Sequence, residues 1–189
     1  KVITSKNLNV GGKLDNTGTV YGNTGVSVGN DLNNSGSLQS TGDIIVGGNT
    51  KNDGKILTES NLKIKNLENS SEIISGKQIT VNNIENKAGS KLSSGEKITA
   101  NGNVVNHGTV KVNEDFTYSQ VIELLNKENI DFKIESGNEV EPEIIRFKSG
   151  TYFDFSEGSF SWNSETNKTY ETIIENKEDY ILNGIRLFD

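Results

Sequence analysis

Six segments of the chain open on an asparagine and follow one pattern: Asn16 (NTGTV), Asn34 (NSGSL), Asn52 (NDGKI), Asn69 (NSSEI), Asn86 (NKAGSKL) and Asn106 (NHGTV). Their spacings are 18, 18, 17, 17 and 20 residues. A unit this short cannot bury a hydrophobic face alone, so it must stack on its neighbours. Each asparagine turn is followed by an aliphatic residue, at Val20, Leu38, Ile56, Ile73, Leu92 and Val110, and then by a second short run, VSV, IIV, LKI, ITV or ITA. A third apolar point falls at Leu32, Leu67, Ile84 and Val104 or Val105, with Thr50 a polar exception. β-Branched residues in short alternating runs bounded by Gly, Asn and Ser read as strands, and helical spacing is missing here. The expected fold is therefore mainly β. It is a parallel β-helix of about six rungs with three short strands per rung, stacked at ~4.8 Å and so about 30 Å long.

Within such a stack the recurrent asparagine has two uses, because Asn tolerates a left-handed turn and hydrogen-bonds to its counterpart one rung away. A structural ladder of Asn16, Asn34, Asn52, Asn69, Asn86 and Asn106 follows. The glycine two residues later, at Gly18, Gly36, Gly54 and Gly108, is expected to supply positive φ at the corner, with Ser71 as the imperfect member. The fifth unit is stretched and loses the Asn-x-Gly spacing, so a small bulge or loop is expected between Asn86 and Val105. GNTGVSVG, at Gly22–Gly29, does not lead from a strand into a helix, which argues against a nucleotide cradle.

Charge and aromatic content change together near residue 113. Residues 1–113 carry 12 Lys and 9 acidic residues, a net +3, with Tyr21 their only aromatic residue; residues 114–189 carry 7 basic and 17 acidic residues, a net −10, and the other 12 aromatics. Two coincident shifts predict a boundary, with the repeat over 1–113 and a small acidic α+β module over 114–189. In that module Thr117–Gln120 reads as a capping box ahead of a helix of about 12 residues carrying Val121, Ile122, Leu124 and Leu125. Ile130–Ile134 and the pairs Ile145/Phe147, Phe153/Phe155 and Phe160/Trp162 alternate as strands, with a loop around Gly137 to Pro142 and turns at Gly150 and Gly158. The runs Tyr170–Ile174 and Tyr180–Phe188 are expected to complete an antiparallel sheet with the helix on one face.

The Asn-x-Gly-x-aliphatic turn followed by Ser-x-Gly-x-aliphatic-x-aliphatic, as in NSGSLQSTGDIIV and NKAGSKLSSGEKITA, resembles the filamentous haemagglutinin-type repeats of two-partner-secretion exoproteins. That group includes large adhesins and contact-dependent growth-inhibition effectors. The resemblance covers roughly residues 1–113 and speaks to architecture more than to activity. It implies a right-handed helix, secretion through an outer-membrane transporter partner, and display at the bacterial cell surface. The opening at Lys1 rather than Met reads as a fragment or a processed product, no signal-peptide pattern opens it, and no stretch approaches the ~20 apolar residues of a transmembrane helix.

Composition narrows the chemistry. Without cysteine there is no disulfide, thiolate zinc site or cysteine nucleophile. His107 is the single histidine and sits in a repeat turn as an exposed corner residue, so neither a Ser-His-Asp triad nor a metal-binding histidine pair is expected. Glu139, Glu141 and Glu143, and Asp154 with Glu157, have oxygens able to hold calcium, but they read as solvated acidic residues without a calcium-loop pattern. No cofactor is implied. Nucleic acid is a poor partner for the −10 segment, which also weighs against a nuclease toxin there.

The expected function is a non-enzymatic structural or adhesive segment of a surface filament, engaging a cell-surface receptor or glycan. Residues 114–189 would cap the rod or present Tyr152, Phe160 and Trp162 to that ligand. One alternative is receptor recognition by a growth-inhibition effector. Another is a polysaccharide-active β-helix enzyme, which would need charged groups gathered in one groove, whereas the repeat shows Ser, Thr, Asn and isolated Lys at its inter-strand positions.

Overall fold

A computed structural model describes residues 1–112 continuously, and beyond them 122–123, 125–126, 132–137, 142–147, 151–154, 161–164, 173–174, 181–182 and 185–186. The chain is mainly β, and its parallel coils stack as a β-solenoid of about six turns. The first coil is β1 (Val2–Thr4), β2 (Leu8–Val10) and β3 (Leu14–Asn16); the second is β4 (Thr19–Gly22), β5 (Val26–Val28) and β6 (Leu32–Asn34). In the third and fourth coils the last two strands run on as one, giving β7 (Ser37–Ser40) with β8 (Ile44–Asn52), and β9 (Lys55–Thr58) with β10 (Leu62–Asn69). The fifth coil holds β11 (Glu72–Ser75), β12 (Ile79–Val81) and β13 (Asn83–Asn86), the sixth β14 (Lys91–Ser94), β15 (Ile98–Ala100) and β16 (Val104–Asn106), and β17 (Thr109–Val112) begins the next.

Equivalent strands pair in parallel, so equivalent residues form columns. Leu38, Ile56, Ile73 and Leu92 lie in register on the first face and are fully buried. Val26, Ile44, Leu62 and Ile79 do the same on the second face, and Leu32, Leu67, Ile84 and Val104 on the third. Period-2 alternation sends these residues inward and their neighbours out. Burying an aliphatic side chain contributes about 1.5–3 kcal/mol, and the second coil buries Val20, Val26, Val28 and Leu32, as the fifth buries Ile73, Ile79, Val81 and Ile84.

Thr50 occupies the third-face column between Leu32 and Leu67, and its buried hydroxyl has no hydrogen-bond partner. A second polar column, at the end of the first-face strands, is satisfied by the backbone. Ser40 Oγ donates to Gly22 O at 2.8 Å, Thr58 Oγ1 to Gly42 O at 2.7 Å, and Ser75 Oγ to Ser60 O at 2.7 Å.

The corner glycines act differently from expectation. None of Gly18, Gly36, Gly54 and Gly108 has positive φ. A Cβ on Gly36 would come within 2.1 Å of Gly18 O, and one on Gly54 within 2.1 Å of Gly36 O. Gly is required there because the coil below approaches too closely for a side chain, a demand of stacking rather than of turn conformation. In the fifth unit the two additional residues sit in the corner between Asn86 and Lys91, where Gly89 takes φ +77°. Ser90 Oγ donates to Asn86 Oδ1 at 2.7 Å, and Leu92 then rejoins the column against Ile73 and Val110. The irregularity is confined to one corner, and the coil itself is regular.

Beyond Val112 the pairing turns antiparallel. Strand β21 (Ser161–Ser164) adds to β17, and β20 (Thr151–Asp154), β19 (Pro142–Phe147) and β18 (Phe132–Gly137) follow in one continuous sheet with the first face. Gly137 ends β18 and Pro142 opens β19, paired across the end of this antiparallel pair where a loop was expected, and residues 138–141 between them lie outside the described residues. Among the described residues strand β22 (Ile173–Ile174) does not join this sheet but pairs with β16 on the third face, and β23 (Ile181–Leu182) pairs with β24 (Ile185–Arg186). Residues 122–123 and 125–126 are helical, and the rest of the expected helix, with Phe155 and Phe160, lies outside the described residues. Leu125, Ile145 and Phe153 are fully buried and continuous with the solenoid core.

Candidate functional site

The six repeat asparagines close the third-face strands and are buried. Their carboxamides are linked Nδ2 to Oδ1: Asn16 to Asn34 at 2.8 Å, Asn34 to Asn52 at 2.8 Å, Asn52 to Asn69 at 2.9 Å, Asn69 to Asn86 at 2.8 Å and Asn86 to Asn106 at 2.9 Å. From Asn16 to Asn86 each Nδ2 also donates to a carbonyl at the start of the second coil on, as Asn69 does to Lys91 O at 3.1 Å. These five buried carboxamides therefore tie successive coils by side chain and backbone together.

Three residues before Asn52, Asn69 and Asn86, on the outer face of the same strands, runs a second column of Asn49, Asn66 and Asn83, which in the sequence look like turn asparagines. Asn66 Nδ2 donates to Asn49 Oδ1 at 2.8 Å, and Asn83 Nδ2 to Asn66 Oδ1 at 2.7 Å. The column is terminated by backbone donors, Asn49 N to Asp31 Oδ1 at 2.8 Å and Asn103 N to Asn83 Oδ1 at 2.9 Å. Two residues further along the strands, Asn33, Lys51, Glu68 and Glu85 form a parallel column in register, exposed except for the half-buried Glu68. Between and over these columns runs an open groove of about 600 Å³ along the rod axis.

The groove carries little positive charge. Asp31, Glu68 and Glu85 line it against Lys51, which stands 3.7 Å from Asp53. Lys87, just outside, is ion-paired with Glu68, whose carboxylate raises the lysine pKa above its ordinary value. At another corner Asp43 accepts hydrogen bonds from Ser60 Oγ at 2.6 Å and from Asn61 N at 3.1 Å, which hold its pKa below the ordinary aspartate value against a smaller desolvation effect.

Of the aromatic trio Tyr152, Phe160 and Trp162, the structure describes one side chain. Tyr152 is half-buried on β20, with the Arg146 guanidinium 4.7 Å from its ring centroid; Arg146 is in turn ion-paired with Glu135. This cation–π contact occupies one side of the ring. Trp162 stands at a backbone position aligned with Val110 and Phe153, in a strand hydrogen-bonded on both sides, and Phe160 lies outside the described residues. His107 is half-buried, and its backbone N–H donates to Asn86 O at 2.7 Å. Among the described residues no three His, Cys, Asp or Glu side chains gather around a common point, and no helix is long and apolar enough to cross a membrane.

Comparison with protein-family models, with curated proteins and with solved structures gives no match to this chain.

Proposed function

We propose that this protein is a structural and adhesive rod segment of a secreted bacterial surface filament, mediating attachment to a cell through shape and hydrogen bonding. The observation that carries the reading is the unbroken stack of parallel coils with its internal carboxamide column. Such a body grows in length by adding coils, each stabilised by its neighbours, and it repeats the same outer groups along its axis. Those are the properties an extended attachment rod needs. The likeness of its repeats to filamentous haemagglutinin-type sequences supports secretion by an outer-membrane transporter and display outside the outer membrane.

Beads coated with the full chain, presented to bacterial and to host cells, test this reading. Retention against flow on at least one cell type, well above that of albumin-coated beads, is the expected result. Retention equal to albumin on every cell type would overturn it.

A further inference from the structure

We propose that the third-face groove binds a neutral polysaccharide chain lying along the rod axis. The inference rests on the attachment reading and supplies its ligand class.

Direction comes first. The groove crosses successive coils, so its outward groups recur at ~4.8 Å, comparable with the rise of one sugar residue in an extended glycan. A linear chain laid along it meets a carboxamide on one side and the Lys51, Glu68 and Glu85 column on the other at successive residues.

Hydrogen-bonding capacity comes second. A carboxamide has two N–H donors and two acceptor lone pairs. Asn66 and Asn83 each spend one N–H on the outer column, which leaves the second free to donate toward the groove. The carboxylates opposite only accept. With Lys51 a donor beside Glu68 and Glu85, the groove presents donors and acceptors together, which suits hydroxyl groups, since they do both.

Charge selects within glycans and against other polymers. With Asp31, Glu68 and Glu85 against Lys51, the groove disfavours sulfated or uronic chains and nucleic acid. An extended peptide would gain its affinity by pairing with a sheet edge. Here the groove floor is a sheet face whose strands are already paired on both sides. Single contacts of this kind are weak, and their repetition along one chain provides the affinity.

The test is electrophoresis of the full chain through gels containing dextran, mannan, xyloglucan or a mixed-linkage β-glucan, with polygalacturonate and heparin as anionic counterparts. At least one neutral polymer should retard the protein, and neither anionic one should. Asn66→Ala/Asn83→Ala should weaken that retardation at least tenfold in apparent Kd, and Glu85→Ala, which removes an exposed carboxylate outside the ladder, at least threefold. Lys63→Ala, on the second face, should change nothing.

The proposal fails if no neutral polymer retards the chain, if an anionic polymer retards it more, or if Glu85→Ala and the double variant bind as the parent does. Bead attachment of the same protein separates the two readings. Attachment without retardation removes the groove and keeps the adhesive rod; retardation without attachment does the reverse.

Discussion

The inner and outer asparagine columns differ by three residues along one strand, and the difference is a lesson in burial. Asn69 and Asn66 both belong to β10 and both join a carboxamide ladder with bonds of 2.7 to 2.9 Å. Asn69 is fully buried, and its loss would strand donors on Asn52 Nδ2 and Ser71 N and take one bond each from Asn86 Oδ1 and Lys91 O. Asn66 is half-buried at the groove, where water replaces any bond it gives up. The same side chain is therefore a clamp in one column and an open hydrogen-bonding group in the other.

The largest effect that can break this contrast is Asn69→Ala. It should cost about 3 kcal/mol or more in urea denaturation, since each orphaned buried group costs about 1–3 kcal/mol. A loss below about 1 kcal/mol would mean that the inner column carries no special weight. Next is Thr50→Val, beneath the groove between Asn49 and Lys51. Removing an unpartnered buried hydroxyl at constant shape should stabilise by about 1 kcal/mol, read as a rise in the urea midpoint, whereas destabilisation would show that the hydroxyl has a partner.

A third effect is confined to acid. The hydrogen bonds that depress the Asp43 pKa contribute stability that is complete above the ordinary value of 3.8 and is lost as pH falls through the lower folded value. Thermal melts of the parent and of Asp43→Asn should therefore show a parent advantage that shrinks below about pH 4. An advantage independent of pH would contradict this. The smallest effect is Asn66→Ala, expected within about 0.5 kcal/mol of the parent, as for a surface substitution.

Much of the solenoid was legible because a stacked coil writes its period directly into the sequence. The columns through Ile56 and Ile73, the Thr50 exception and the corner extension after Asn86 are all visible as spacing. What spacing cannot show is distance between coils. Gly36 and Gly54 look like turn residues in one dimension, and only the close approach of the coil beneath reveals their role. The hydroxyl column of Ser40, Thr58 and Ser75 leaves a trace as a Ser or Thr closing each first-face strand, but residues so common in turns give no signal of their own. The groove was hidden for a similar reason, since Asn49, Asn66 and Asn83 are indistinguishable from corner asparagines until alternation within a continuous strand turns them outward.

The order of the last strands was beyond the sequence as well. Ile173–Ile174 has the same composition whether it joins the antiparallel sheet or pairs with β16, and the available edge decides.

The most direct test of a rod whose inner column holds and whose outer column binds is to measure unfolding and cell attachment together for Asn66→Ala/Asn83→Ala. The expected result is a urea midpoint close to that of the parent, with retention of coated beads reduced to the albumin level on the cell type that the parent engages. Full retention by the variant, or a collapse of its stability comparable with that of Asn69→Ala, would contradict it.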